Sequence, residues 1–231
     1  MTLLVATGLL NAYAMVLVLA RPLCFHTRLY RPMVLNILLS VFPLACFVGA
    51  LEAFDAGASQ GRGGWWVLVA AVAVVLWFCF LPNSSYLITE LNLSHRTVDP
   101  ETATVPLWYD IVLVLAMALS GIVNTLVTVF TAQYFISAIV AWDAPHPMLV
   151  AVSWTVPAVM FVIVAFGMYI GRQVRLNSWD LVRPRRLLAK LRQHFAAAHA
   201  GRQAVGFTLV HAVLLFLVYS CFVGISVGLG A

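Results

Sequence analysis

Charged side chains are scarce in this sequence, 9% of residues against about 25% in an ordinary soluble domain, and that deficit excludes a soluble globular enzyme. The four cysteines, Cys24, Cys46, Cys79 and Cys221, show no CxxC spacing. Three of them lie in apolar runs, where a thiol behaves as a small hydrophobe, so neither a disulfide nor a zinc site is expected. Long polar stretches are lacking too. The largest, about thirty residues after Arg172, is too short for a sizeable soluble domain, which leaves helix ends and short loops to build any active surface.

What is present is hydrocarbon. Apolar residues make up 63% of the chain, mean hydropathy is +1.00, and six runs are long enough to cross a hydrocarbon core of about 30 Å. They cover residues 2–20, 34–51, 65–81, 107–130, 148–171 and 205–229. In lipid only helices satisfy the backbone over such lengths, so the expected fold is an all-α, polytopic membrane helix bundle, one integral membrane domain over residues 1–231. The first run has no basic residue before it and Arg21 directly after it. It lacks the charged start of a secretory signal and reads as an uncleaved first helix.

Net charge is +5, from thirteen Lys/Arg and eight Asp/Glu. Three bases fall between spans 1 and 2 (Arg21, Arg28, Arg31), one between 2 and 3 (Arg62), one between 3 and 4 (Arg96), and eight between 5 and 6. Twelve bases therefore share one side, which the positive-inside rule makes cytoplasmic, with both termini outside. The apolar stretch 107–141 would be about 52 Å long as a helix. Two spans there would break the charge asymmetry, so it is read as one tilted span followed by an outer surface segment, 131–141. Pro43 and Pro157 can kink their helices, Ser120 and Gly121 permit close helix contact, and the glycine-rich stretch 57–64 reads as a flexible outer turn.

Three polar clusters share the expected cytoplasmic face. In the first, Leu81-Pro82-Asn83-Ser84-Ser85-Tyr86-Leu87-Ile88-Thr89-Glu90, Pro82 is expected to interrupt the helix. Asn83 or Ser84 would then cap a new short interfacial helix whose free N–H groups attract anions. The plainer alternative is a capped connector without a ligand. In the second, Pro106-Leu107-Trp108-Tyr109-Asp110, Pro106 suits a helix start and the aromatics suit a membrane interface. Asp110 lies one turn inside an apolar run, where a charge is costly and usually paired or functional. The third runs from Gly171-Arg172 through Arg175, Asn177, Ser178, Trp179 and Asp180. Arg172 and Arg175 are one turn apart and either pair with Asp110 or hold a phosphate. Beyond it, Pro184 opens an amphipathic helix with Leu187, Leu188, Leu191 and Phe195 on one face among basic residues, suited to anionic lipid. His211, well inside span 6, reads as an interhelical hydrogen-bond partner. The polar residues within the spans, Asn11, Asn36, Asn124 and His211, look scattered over different spans.

Taken together, the patterns at 81–90, 106–110 and 171–180 resemble the bacterial membrane proteins catalogued as domain of unknown function 1361, from about Trp65 to Phe222. The resemblance marks Pro82, Asn83, Tyr86, Thr89, Glu90, Trp108, Tyr109, Asp110, Gly171, Arg172, Arg175, Asn177, Ser178, Trp179 and Asp180 as family-motif residues. It supplies no reaction.

The functional expectation is a multi-pass protein of the bacterial inner membrane with a cytoplasmic-face pocket for a phosphate-bearing lipid or similar anionic ligand. Its ligand-binding set is Asn83, Tyr86, Thr89, Glu90, Trp108, Tyr109, Arg172, Arg175, Asn177, Ser178 and Trp179. In an enzymatic version Asp110 and Asp180 act as base or metal holder, with Mg²⁺ as the cofactor. The rival class is a transporter subunit or an accessory protein that docks a partner. The bilayer and its anionic lipids are the expected partners, nucleic acid is not, and the sequence leaves open whether the protein is an enzyme. Orientation is testable directly: a periplasm-active reporter joined after Arg96 should be silent and one joined after Ala231 active.

Overall fold

Runs of Leu, Val, Ala and Phe without interior charge form helices because each must satisfy its backbone within itself once water is excluded. The computed structural model describes residues 2–59, 63–92, 105–140, 146–174 and 183–228. Its elements are α1 (Thr2–Phe25), α2 (Arg31–Ser59), α3 (Gly63–Ser85), a 3-10 helix (Tyr86–Asn92), α4 (Leu107–Val140), α5 (His146–Tyr169), a π-helical turn (Ile170–Val174), α6 (Pro184–Phe195) and α7 (Ala200–Gly228). No strand occurs among the described residues. Six of these helices are long and apolar enough to cross a membrane, so the all-α, six-span architecture holds.

Several boundaries differ from expectation. Residues 131–140 continue α4, a single helix of 34 residues, because nothing in Thr131 to Val140 breaks the run. Helix α2 extends to Ser59 and α3 starts at Gly63, so the outer turn expected over 57–64 narrows to residues 60–62, which lie outside the described residues. Gly57 serves packing, since a Cβ there would lie 2.6 Å from Trp66 Cβ. Pro82 sits inside α3, which runs on to Ser85 before tightening directly into the 3-10 helix. No new cap intervenes there, and the Ser84 hydroxyl has no partner among the described residues. The anion-attracting helix start expected at Asn83 or Ser84 is therefore not formed.

The chain folds as two compact units, Met1–Thr128 and Val129–Ala231. In the first, α2 and α3 form an antiparallel hairpin, with Phe47 against Trp77 and Phe42 edge-on to Phe80 at ring separations of 5.0 Å. Its buried core joins Ala14 and Val18 of α1, Met33 and Ile37 of α2, and Leu113, Val114 and Met117 of α4. The lipid-facing sides of these helices carry the exposed leucines and valines, such as Leu9, Leu38 and Val75.

The second unit pairs α5 with α7 through Phe161 against Tyr219 at 5.4 Å and Tyr169 against Phe207 at 5.7 Å. The Tyr219 hydroxyl donates to Gln133 Oε1. The expected amphipathic helix is α6, with Leu187 and Leu191 half-buried and Arg185, Arg186 and Arg192 exposed. His211 is satisfied within its own helix, Nδ1 lying 2.9 Å from the Phe207 carbonyl with the two rings stacked at 3.9 Å, rather than by a neighbouring helix.

Helix α4 makes a close approach to the end of α3 at Gly121. A Cβ there would lie 2.9 Å from Leu87 Cβ and 3.0 Å from the Ser84 carbonyl oxygen, so the close contact expected of Ser120-Gly121 is made at the end of α3. Gly121→Ala should destabilise by about 1–3 kcal/mol through overpacking. Gly8→Ala and Gly206→Ala, which meet nothing within 4 Å, should be neutral or gain up to about 1 kcal/mol from helix propensity. Thermal unfolding in detergent compares the three.

Candidate functional site

Two of the three polar clusters meet at one end of the first unit. Leu87 of the 3-10 helix is fully buried in one core with Val105 and Tyr109 at the start of α4 and Val18 and Met33 from the two ends of the first loop. Pro22 removes the N–H that would have closed the last turn of α1 onto the Val18 carbonyl. Just past the helix, His26 takes a left-handed backbone with φ 55°. A non-glycine residue tolerates that conformation mainly in turns, and here it folds Thr27 back toward α1.

This turn completes a buried ion pair. Asp110, with no exposed surface, accepts a hydrogen bond at 3.0 Å from Arg21 Nε, whose side chain is 5% exposed. Arg21 Nη1 lies 3.3 Å from Thr27 Oγ1. Nη2 of Arg21 is buried and without an acceptor among the described residues. The Tyr109 hydroxyl donates to the Leu17 carbonyl at 2.8 Å, and its ring stands edge-on to Phe25 at 4.9 Å. Three contacts thus tie the end of α1 to the start of α4. Among the described residues the guanidinium offsets the carboxylate, and the amino end of α4 adds the helix dipole's partial positive charge.

Within the first unit Asp110 pairs with Arg21, a base that the sequence reading did not set beside it; of the two arginines it did set there, Arg172 belongs to the second unit and Arg175 lies outside the described residues. By sequence Arg21 is only a topogenic charge, yet it is buried. Its sole sequence signal was its place directly at the end of an apolar run. That α1 packs beside the start of α4 is a tertiary fact no spacing reveals.

The other expected site residues fall as follows. Asn83 and Tyr86 are half-buried at the junction of α3 and the 3-10 helix. Thr89 Oγ1 donates to the Tyr86 carbonyl at 2.6 Å, closing that turn locally. Trp108 is 65% exposed with its ring 5.7 Å from that of Tyr109, placed as an interface anchor. The side chain of Glu90, and all of Arg175, Asn177, Ser178, Trp179 and Asp180, lie outside the described residues. Arg172 belongs to the second unit, half-buried in the π-helical turn. Just before it, the Tyr169 hydroxyl lies 2.7 Å from His194 Nε2 and 3.2 Å from the Ala200 carbonyl, fastening α6 and the start of α7 to α5. Among the described residues no three His, Cys, Asp or Glu side chains form a group that could hold a metal.

Asparagines read as scattered are in part gathered. Asn11 Nδ2 donates to Asn124 Oδ1 at 2.8 Å and Asn124 Nδ2 to Asn11 Oδ1 at 3.0 Å, with a further bond from Asn124 Nδ2 to Ser40 Oγ at 2.9 Å. Each residue alone is an ordinary isolated polar group in a span, and only the packing of α1, α2 and α4 makes them a network.

The ion pair should behave as a unit. Asp110→Ala strands a buried guanidinium and should cost about 3–5 kcal/mol, and removing Arg21 as well, as Met, should restore much of that loss. A double-mutant cycle by thermal or denaturant unfolding in detergent measures the coupling.

Comparison with known proteins returns no match among curated proteins and none among solved structures. A family model described as "Protein of unknown function (DUF1361)" matches residues 35–218, a range that includes all three polar clusters. The chain is thus a multi-pass membrane protein that belongs to the DUF1361 family of proteins of unknown function.

Proposed function

We propose that the first unit binds a phosphate-bearing lipid, or a similar anionic ligand, at the Arg21–Asp110 end of the bundle. The observation that carries the reading is Arg21 Nη2, a buried cationic donor with no acceptor among the described residues. An orphaned donor of this kind costs about 1–3 kcal/mol, more when charged, and a phosphate oxygen would recover that cost. The amino end of α4 favours the same charge, and exposed Trp108 sets the depth of a headgroup at the interface. In this reading Asp110 is a positioning residue: it accepts from Nε and so fixes which edge of the guanidinium is offered to the ligand.

The second unit favours the same class of partner independently. On α6, Arg185, Arg186 and Arg192 are exposed beside Leu188 and Phe195, which are 53% and 38% exposed. Basic and apolar groups side by side on a helix surface suit an anionic leaflet, the cytoplasmic one under the charge asymmetry of the loops.

Native mass spectrometry of the purified protein, with lipid identification, tests the site. Wild type should retain a phosphate-bearing lipid, and Arg21→Gln with Asp110→Asn, which keeps the polar shape without the charges, should lose it at least tenfold. Competition by inorganic phosphate would assign the affinity to the headgroup, whereas lipid retention indifferent to phosphate would assign it to the acyl chains as well. Equal retention by wild type and the double variant overturns the reading and leaves the pair as a structural clamp in a protein that docks partners.

A further inference from the structure

A second polar centre lies deeper in the first unit, and it shares no residue with the ion pair. Along α4 the two are separated by fully buried Leu113 and Met117. Gly121 is about 21 Å from the start of α4 and Ser40 about 14 Å from the start of α2, at ~1.5 Å per residue, so this centre sits well within the spans. It forms where α3 gives way to the 3-10 helix. The Ser84 carbonyl accepts from Ser40 Oγ at 2.8 Å and abuts Gly121. Ser85 Oγ and Thr125 Oγ1 are 2.6 Å apart, and Thr125 Oγ1 donates to the Gly121 carbonyl at 2.8 Å.

Two hydroxyls stand out of this otherwise satisfied network. Ser84 Oγ and Ser120 Oγ are in residues with no exposed surface, and neither has a hydrogen-bond partner among the described residues. A serine inside a helix ordinarily satisfies itself on the carbonyl four residues back, as Thr125 and Thr128 do. These two therefore offer oxygen lone pairs, one at the end of α3 and the other next to Gly121, the residue of α4 that this end abuts.

We propose that this junction is a binding site for a monovalent cation, Na⁺ in the first instance, held by neutral oxygens that include Ser84 Oγ, Ser120 Oγ and carbonyls of the α3 terminus. The donor set is hydroxyl and carbonyl oxygen, which suits a hard cation. The carboxyl end of α3 directs its partial negative charge into the junction, the arrangement that interrupted membrane helices present to coupling ions. Monovalent charge follows from the hydrogen-bonded network being built of amides, hydroxyls and carbonyls alone, since a divalent ion would remain largely uncompensated in a low dielectric.

The test is thermal unfolding of the full chain in lipid nanodiscs, titrated with NaCl, KCl or choline chloride at constant ionic strength. Wild type should show a saturable rise in Tm with NaCl that choline does not reproduce. Ser84→Ala with Ser120→Ala should abolish the rise or shift its midpoint at least tenfold. Because neither hydroxyl bonds within the described protein, this variant loses no hydrogen bond and should fold as well as wild type in choline chloride; the two single variants provide the same reading separately. A rise with both Na⁺ and K⁺ that the variants lose supports the site without selectivity between the ions. No difference from choline, or a Na⁺ response unchanged in the variants, overturns it and leaves the hydroxyls without a ligand role.

Discussion

A carboxylate that cannot reach water must be given its counter-charge by the fold, and that constraint organises the first unit. Asp110 is fully buried, and the group that answers it, Arg21, comes from a helix 89 residues earlier in the chain. To bring them together, α1 must extend past the end of its apolar run, turn sharply at His26 and lie against the first turns of α4. The aromatic contacts of Phe25 and Tyr109 and the bond from the Tyr109 hydroxyl to Leu17 follow from that placement. The arrangement has the usual asymmetry of a buried pair. Its net contribution is small, but either charge left alone is severely destabilising.

Beyond the pair, the interior alternates by chemistry. A layer of Val18, Ile37, Leu113 and Met117 separates it from the amides and hydroxyls of Asn11, Ser40, Asn124 and Thr125. Because lipid tails are as apolar as leucine, helix association here draws little from the hydrophobic effect and more from close packing and interhelical hydrogen bonds. Gly121 and the Asn11–Asn124 pair supply one of each. The same serines and glycine that let α3 approach α4 also allow its last turn to tighten into a 3-10 helix, since the Ser84 carbonyl finds a side-chain donor in Ser40.

The second unit solves a different problem, attaching a basic surface helix to buried spans. Tyr169 does it with a single ring, packed against Phe207 and His194 and with its hydroxyl within reach of His194 and the Ala200 carbonyl. The π-helical turn that follows shifts the backbone register just where the arginines begin. Such turns recur at functional positions in other helices.

By itself, the sequence determined the membrane class, the helical fold, six spans and the amphipathic α6, because apolar run length and charge content are local properties that a bilayer reads directly. It singled out Asp110 for the same reason, as an acid inside a span. It misjudged the helix break at Pro82, where the end of α3 packs against Gly121, and the end of α4, where nothing in Thr131 to Val140 breaks the run. Only the tertiary structure decided that Arg21 pairs with Asp110, that Asn11 and Asn124 are partners, and that the Ser84 and Ser120 hydroxyls have none among the described residues. Those outcomes depend on which helices are neighbours and at what depth they cross. In a chain whose spans are almost uniformly apolar, no periodicity marks the facing sides.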